Sequence, residues 1–422
     1  MTNTPNYTLN GGSGGGPTSV ALSDGPNLDA FSRLRVGLPK LRLSALFDTD
    51  LRPLLWDTAV TAGGTVVKNA NHIGADLAVV ASGDKAILST KEYFVYRAGQ
   101  SQQVMVTLNF QGLGPNINKR AGYFDDNNGM FFHYTDGGAA VVVRSDATGS
   151  VVDTEVRQAD WNVDTMDGTG PSGVTVDWTK TQILVMDFQA LFVGRVRFYL
   201  DIDGILYPVH EQNHANVETI PYISTAKLPV RYEIEAVGSV STNATMLASC
   251  ATVNREGGDD EPSVQQEART AGSVTVGAAW ETVLGVRVKA ANLRATLRLL
   301  NVSVFNGDAD TIEYAVILNP SYAGSPTWKD ASASGGVAEL SRFNAAISVD
   351  GDGDPDVGHV YPLGGFIGAT SGRSIPQSGS TKLGDTVPVA ADIAGTPDEV
   401  WVVARGDGSS PVRALISWAE ER

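Results

Sequence analysis

The sequence predicts an all-β protein, with two β-sandwich or jelly-roll-like domains preceded by a flexible Gly-rich N-terminal arm. Three observations predict it. Glycine is abundant, at 46 of 422 residues, and charged residues make up only 18%. That composition belongs to short strands and many turns rather than to long helices. Apolar residues alternate along short runs, as in "SQQVMVTLNFQG", where Val104, Val106, Leu108 and Phe110 share one face. Gly, Asp and Asn separate these runs at intervals that suit a sandwich. The sequence shows no internal repeat of the length that marks solenoids and propellers.

Residues 1–28 contain "GGSGGGP" and few apolar groups. They have too little surface to bury and read as the arm. Gly11–Gly15 formally matches G-x-S-x-G, but a glycine tract supplies neither the strand nor the helix that this motif needs. "RLRVGLPKLRLSALF" at 33–47 alternates basic and apolar residues and reads as an extended segment packed on a partner surface. Alternating runs then continue to about Glu261. "NREGGDDEPS" at 254–263 is polar, glycine-rich and contains Pro262, so it marks the domain boundary. The larger domain is therefore expected at 29–262, with a docking segment at 29–58, and the smaller at 263–422. In the smaller domain "EVWVVARGDGSSPVRALISW" reads as a hairpin around "GDGSS".

Composition also excludes partners. The net charge of −16 repels phosphate backbones and anionic lipid heads, so no nucleic acid is expected. No apolar run approaches the ~20 residues of a bilayer span, so no membrane insertion is expected. A single cysteine, Cys250, rules out an internal disulfide and a Cys-based zinc knuckle. "MTNTPNYTLNGG" has neither a basic nor an apolar leader region, and the expectation is a chain without a signal peptide, made in a cytoplasm.

One motif carries explicit chemistry. "HEQNH" at 210–214 matches the H-E-x-x-H of zinc peptidases, with His210 and His214 as ligands and Glu211 as base. The motif works only on a helix, where i and i+4 share a face. Here "VRFYLDIDGILYPV" precedes it, two alternating runs joined by Asp203-Gly204, a strong hairpin signal. A two-residue loop there pairs Ile202 with Ile205, Leu200 with Tyr207, Phe198 with Val209 and Arg197 with His210. On a strand, His210 and Glu211 point to opposite faces, and the match reads as accidental.

The remaining candidates are hard-oxygen clusters and aromatics. Asp350, Asp352, Asp354 and Asp356 in "DGDGDPD" are possible calcium ligands, although the EF-hand pattern fails at Pro355 and Tyr361. "FDDNNG" at 124–129 offers Asp125 and Asp126 but reads first as a turn. No cofactor is expected beyond such a structural calcium. Trp161 and Trp178 are candidate sugar-stacking residues if exposed, and core residues otherwise. No carboxylate pair or Ser-His-Asp set stands out as catalytic.

Several stretches resemble a family of tailed-bacteriophage virion structural proteins. "DAFSRLRVGLP" at 29–39 looks like that family's "DAFGRLRVS" opening, with Ser32 where the family usually has Gly. "KRAGYFDDNNGMFF" at 119–132, "WNVDTMDGTGPSGVTVDW" at 161–178, "VGRVRFYLDIDGILYPVHEQNHAN" at 193–216 and "STAKLPVRYEI" at 224–234 continue it. The resemblance covers most of residues 29–235 and implies a non-enzymatic virion component, assembled in the host cytoplasm as a homo-oligomer with other virion proteins. A tail fibre, spike or baseplate-associated part is the first expectation, with Phe31, Arg33, Arg35 and Leu38 as docking residues and host surface glycan as a further partner. The alternatives are a head-decoration protein and a virion-associated hydrolase, either a glycan depolymerase or a zinc peptidase.

Overall fold

A computed structural model describes all residues except 1–5, 10–17, 22–27, 36–38, 113, 190, 241–243, 257–263, 308–309, 333–334, 351, 356–358, 369–371, 376–386 and 422. The described residues form strands throughout, with short 3-10 turns at Gln158–Asp160 and Ala290–Asn292 and no α-helix. The all-β expectation holds.

Within the predicted arm, Asn6–Leu9 pairs antiparallel with Thr18–Ala21.

The chain divides into two compact units. The first is Met1–Arg52, Thr58–Ser89 and Phe94–Asp259, and the second is Pro53–Asp57, Thr90–Tyr93 and Asp260–Arg422. Sequence placed 53–57 and 90–93 in the larger domain. They belong to the second unit because Leu54 packs on its core, Asp57 accepts from the Ile393 N–H, and Glu92 pairs with Arg298.

The first unit is built from two antiparallel sheets. A seven-stranded sheet runs in the order Val152–Arg157, Gly138–Ser145, Gly129–Thr135, Ile117–Phe124, Val230–Ala236, Lys85–Thr90, Trp56–Thr61. An eight-stranded sheet runs Ile205–Gln212, Val196–Ile202, Thr181–Gln189, Ser101–Asn109, Ala244–Glu256, Ala75–Val79, Thr65–Lys68. The long strand Ala244–Glu256 pairs with Ala75–Val79 along its first half and with Lys40–Leu46 along its second. The alternation read from sequence sets the inner face: Val104, Val106, Leu108 and Phe110 are all buried. Rings join the layers, Tyr123 stacking on Phe188 at 5.5 Å and Phe132 meeting Phe198 edge-on at 5.5 Å.

The second unit repeats the plan. A five-stranded sheet orders Val264–Arg269, Ser410–Glu421, Thr296–Asn306 and Gly372–Ile375, with Val274–Val276 also on Ser410–Glu421. A six-stranded sheet orders Lys329–Asp330, Ala338–Ser341, Glu281–Val288, Glu399–Gly406, Ile312–Leu318 and His359–Ile367. Val286, Val316, Val402, Leu297, Ile416 and Trp418 lie in the core of this unit.

The predicted hairpin around "GDGSS" does not form. Glu399–Gly406 sits between Glu281–Val288 and Ile312–Leu318, while Ser410–Glu421 sits between Val264–Arg269 and Thr296–Asn306. Both are interior strands whose two edges are occupied, so neither has an edge left for the other. The turn is an arch from one layer to the next.

Candidate functional site

"HEQNH" begins on the strand Ile205–Gln212 and ends in the turn after it. The hairpin turn is as expected: Asp203 and Gly204 have φ of 54° and 81°, the left-handed pair of a type I′ turn. Ile202 faces Ile205 and Leu200 faces Tyr207, also as expected, but the register then shifts between Phe198 and Tyr199. Val209 is the extra residue, so Phe198 faces His210 and Arg197 faces Glu211, in place of the predicted Phe198–Val209 and Arg197–His210 pairs. Pro208 explains the bulge, because it has no N–H to give to the ladder.

The three motif side chains go to separate partners. His210 is buried against Phe198, receives the Asn162 N–H at Nδ1 (3.4 Å), and has its pKa lowered by burial. Glu211 pairs with Arg195 at 2.7 Å. His214 Nε2 bonds to the Ile220 carbonyl. Among the described residues no three His, Cys, Asp or Glu side chains gather as a metal site.

Of the predicted docking residues, Phe31, Arg33 and Arg35 make contacts within their own unit. Asp29 Oδ1 accepts the N–H groups of Phe31 (2.9 Å) and Arg33 (2.8 Å), and the Arg33 guanidinium returns to Asp29 Oδ2 at 2.7 Å. "DAFSR" is thereby a closed turn, capped by the Arg33 guanidinium 4.8 Å over the Phe31 ring. Ser32 has φ of 60°, the left-handed region that favours glycine, and its Oγ accepts from Arg195 Nη2 at 2.9 Å.

Beneath this turn lies a buried charge cluster. Asp187, fully buried, takes Arg35, Arg197 (2.6 Å) and the Ser101 hydroxyl (2.9 Å). Arg35 also pairs with Glu256 at 3.0 Å. Burial tends to lower the Arg35 pKa, but Asp187 and Glu256 outweigh this and raise it; burial raises that of Glu256 against the pull of Arg35. Arg197 reaches the Leu28 carbonyl (3.0 Å), Arg195 the Ala30 carbonyl (3.0 Å), and the Ala30 N–H the Ser101 Oγ (3.2 Å). The segment latches onto its own sheet through Arg35, and Lys40–Leu46 continues it as a strand of that sheet. Arg33 remains 47% exposed; Leu38 lies outside the described residues.

The outward face of the seven-stranded sheet is a second gathering of ionisable groups. Arg120 stands opposite Glu233 on one side and His133 on the other. Its Nη1 bonds both Glu233 and Glu235 (2.8 Å). Arg231 pairs with Glu233 and with Asp126 (2.9 Å), and Lys85 stands 3.3 Å from Glu233. His133 Nδ1 is 2.6 Å from Glu155, and Arg144 grips Asp153 with two bonds of 2.8 and 2.9 Å. Phe124, Phe131 and Val142 form a fully buried cluster; the Arg231 guanidinium lies 5.3 Å from the Phe124 ring and that of Arg144 5.1 Å from Phe131. Burial pushes the Glu233 pKa up, but Arg231, Arg120 and Lys85 together hold it down at about 2.

Glycoside hydrolysis needs one carboxyl kept protonated beside a second carboxylate. Glu233 is driven the opposite way, and Glu235, Glu155 and Asp153 on this face each sit against a cation or a histidine.

The other predicted positions resolve locally. Asp350 Oδ1 accepts the N–H groups of Asp352 (2.9 Å) and Asp354 (3.0 Å), an acidic turn; Asp356 lies outside the described residues. Asp125 Oδ1 closes "FDDNNG" in the same way through Asn127 and Asn128. Trp161 and Trp178 are buried and meet edge-on at 6.3 Å, so neither is a sugar-stacking platform. Sequence reading missed Asp187 and the ion pairs that Arg197 and Glu233 make. Each of these residues is a charge inside an alternating strand, and that is the signal that marks them.

No family model matches the sequence, and no curated protein does either. Among solved structures, the chain is similar to a glycosyl hydrolase family protein from Mycobacterium fortuitum (13% identity, TM-score 0.35, 51% of this chain and 99% of that one). It is similar also to a legume lectin-like domain from Entamoeba histolytica (12%, 0.30, 51% and 97%). A third is a pseudo beta-1,3-glucanase of Mycobacterium tuberculosis (13%, 0.35, 51% and 99%). Similarity at this level assigns no chemistry to this chain.

Proposed function

We propose that the chain is a non-enzymatic structural protein of a tailed-phage particle, a part of the tail apparatus that works by assembly with other virion proteins and with further copies of itself. The resemblance over residues 29–235 supports the virion reading. The observation that carries the non-enzymatic part is the state of the gathered carboxylates. Around Glu233 and around Asp187 they are paired with guanidinium groups, and Glu233 is held ionised, the wrong state for acid catalysis. Such clusters fix one geometry of the unit, as a repeated building block requires.

Immunogold electron microscopy on intact particles, with an antibody to residues 263–422, tests the assignment. Gold at the tail is the expected result. Gold spread over the head would make this a head-decoration protein. Particles with neither label nor chain on a denaturing blot would sink the virion reading. Incubation with host surface polysaccharide tests the other half, and new reducing ends would overturn the non-enzymatic reading.

A further inference from the structure

We propose that a cleft at one end of the second unit's six-stranded sheet binds a neutral hexose unit of a surface polysaccharide. The cleft has a volume of about 580 Å³ and is lined by Thr311, Glu313, Phe366, Arg405 and Asp407. That size falls within the roughly 300–1,000 Å³ of small-molecule sites.

Strand register builds it. Glu313 lies opposite Phe366 on one neighbouring strand and opposite Arg405 on the other, so the three side chains stand in a row on one face. Arg405 is held from below, its guanidinium 4.8 Å over the buried Trp280 ring. Both of its bonds to Glu313, at 2.8 and 2.7 Å, go to Oε2. Among the described residues, Glu313 Oε1 and the side chains of Thr311 and Asp407 have no hydrogen-bond partner. Phe366 is 65% exposed, an apolar plate at the side of these polar groups.

The chemistry selects the ligand. Arg405 cancels the Glu313 charge, which leaves Asp407 as a net negative group in the lining and disfavours phosphates and acidic sugars. Guanidinium and hydroxyl donate; carboxylate and hydroxyl accept. A ligand must answer both around an apolar face. Sugar hydroxyls donate and accept, and the C–H face of a pyranose lies on an aromatic ring. A cationic peptide side chain offers donors alone. The inference deepens the tail reading, giving its glycan partner a place on the chain, and it rests on that reading only for the source of the sugar.

The test uses the full chain and four probes: glucose, galactose, mannose and N-acetylglucosamine. Saturation-transfer NMR and titration calorimetry are expected to show at least one binding, with Phe366→Ala and Asp407→Asn each weakening it about tenfold. Both variants alter exposed side chains, and unchanged melting curves confirm the fold. The proposal is overturned if none of the sugars binds, or if either variant binds as the wild type does. It is also overturned if an arginine-rich peptide binds in a Phe366-dependent way while the sugars do not. Particle labelling is independent: tail label without sugar binding removes the site alone, and sugar binding without tail label removes the tail reading alone.

Discussion

On the seven-stranded sheet, the outward positions carry Arg120, Arg231, Glu233 and His133 around a small floor of Phe124, Phe131 and Val142. On the six-stranded sheet, the outward positions carry Trp401, Val403, Ala315 and Ile317, with Tyr322, Trp328 and Phe343 packed over them. Trp401 meets Tyr322 and Trp328 each at 5.5 Å. Gly285 permits this, since a Cβ there would stand 2.7 Å from the Trp401 ring. The first face is closed chiefly by charge pairing, and the second by an apolar centre with Arg287 paired to Glu339 and Glu399 beside it. Charge pairing fixes geometry but depends on protonation; burial does not. The largest acid response should therefore come from Glu233 in the first unit.

Four measurements break or sharpen that contrast. Trp401→Ala should cost about 3–5 kcal/mol in denaturant unfolding of the second unit, equally at pH 7 and pH 5. A loss that grows on acidification would show that the bond from Trp401 Nε1 to Glu399 (3.0 Å), rather than burial, dominates at this face. Acid should act on the first unit instead. Glu233 has a folded pKa of about 2 against an ordinary 4.5, so its contribution is complete above about 4.5 and is lost as pH falls toward 2. That contribution is on the order of 3 kcal/mol. Glu233→Gln should flatten the acid limb of the stability curve, and identical curves for variant and wild type would refute the electrostatic account. Gly285→Ala should cost roughly 1–3 kcal/mol by crowding Trp401. The smallest effect belongs to the rim: Asp153, 40% exposed in its pair with Arg144, should lose at most about 1 kcal/mol on change to Asn, and less at high salt.

Much of this architecture was legible in the chain. Alternation located the strands because burial of one face imposes period two, and Asp203-Gly204 announced its turn because both residues must take positive φ. What escaped was decided across distance. Nothing in "GDGSS" says that both flanking strands have their edges filled by others. The bulge at Val209 was missed although Pro208 stood beside it. The pairing of Arg35 with Asp187 and Glu256 was not legible, because these lie far along the chain from it. His210 was read correctly as a strand residue because its context was local.

The arch at residues 406–410 has a consequence for synthesis. Ser410–Glu421 lies between Thr296–Asn306 and Val264–Arg269, yet it emerges after both. A nascent chain stalled before Ser410 has two strands waiting on either side of a gap, and Glu92 waits still longer for Arg298. Pulsed proteolysis of ribosome-bound chains extended by a C-terminal linker should find the second unit cleavable until Glu421 has left the exit tunnel, and protected abruptly afterwards. The interval between the two is when a chaperone has something to hold.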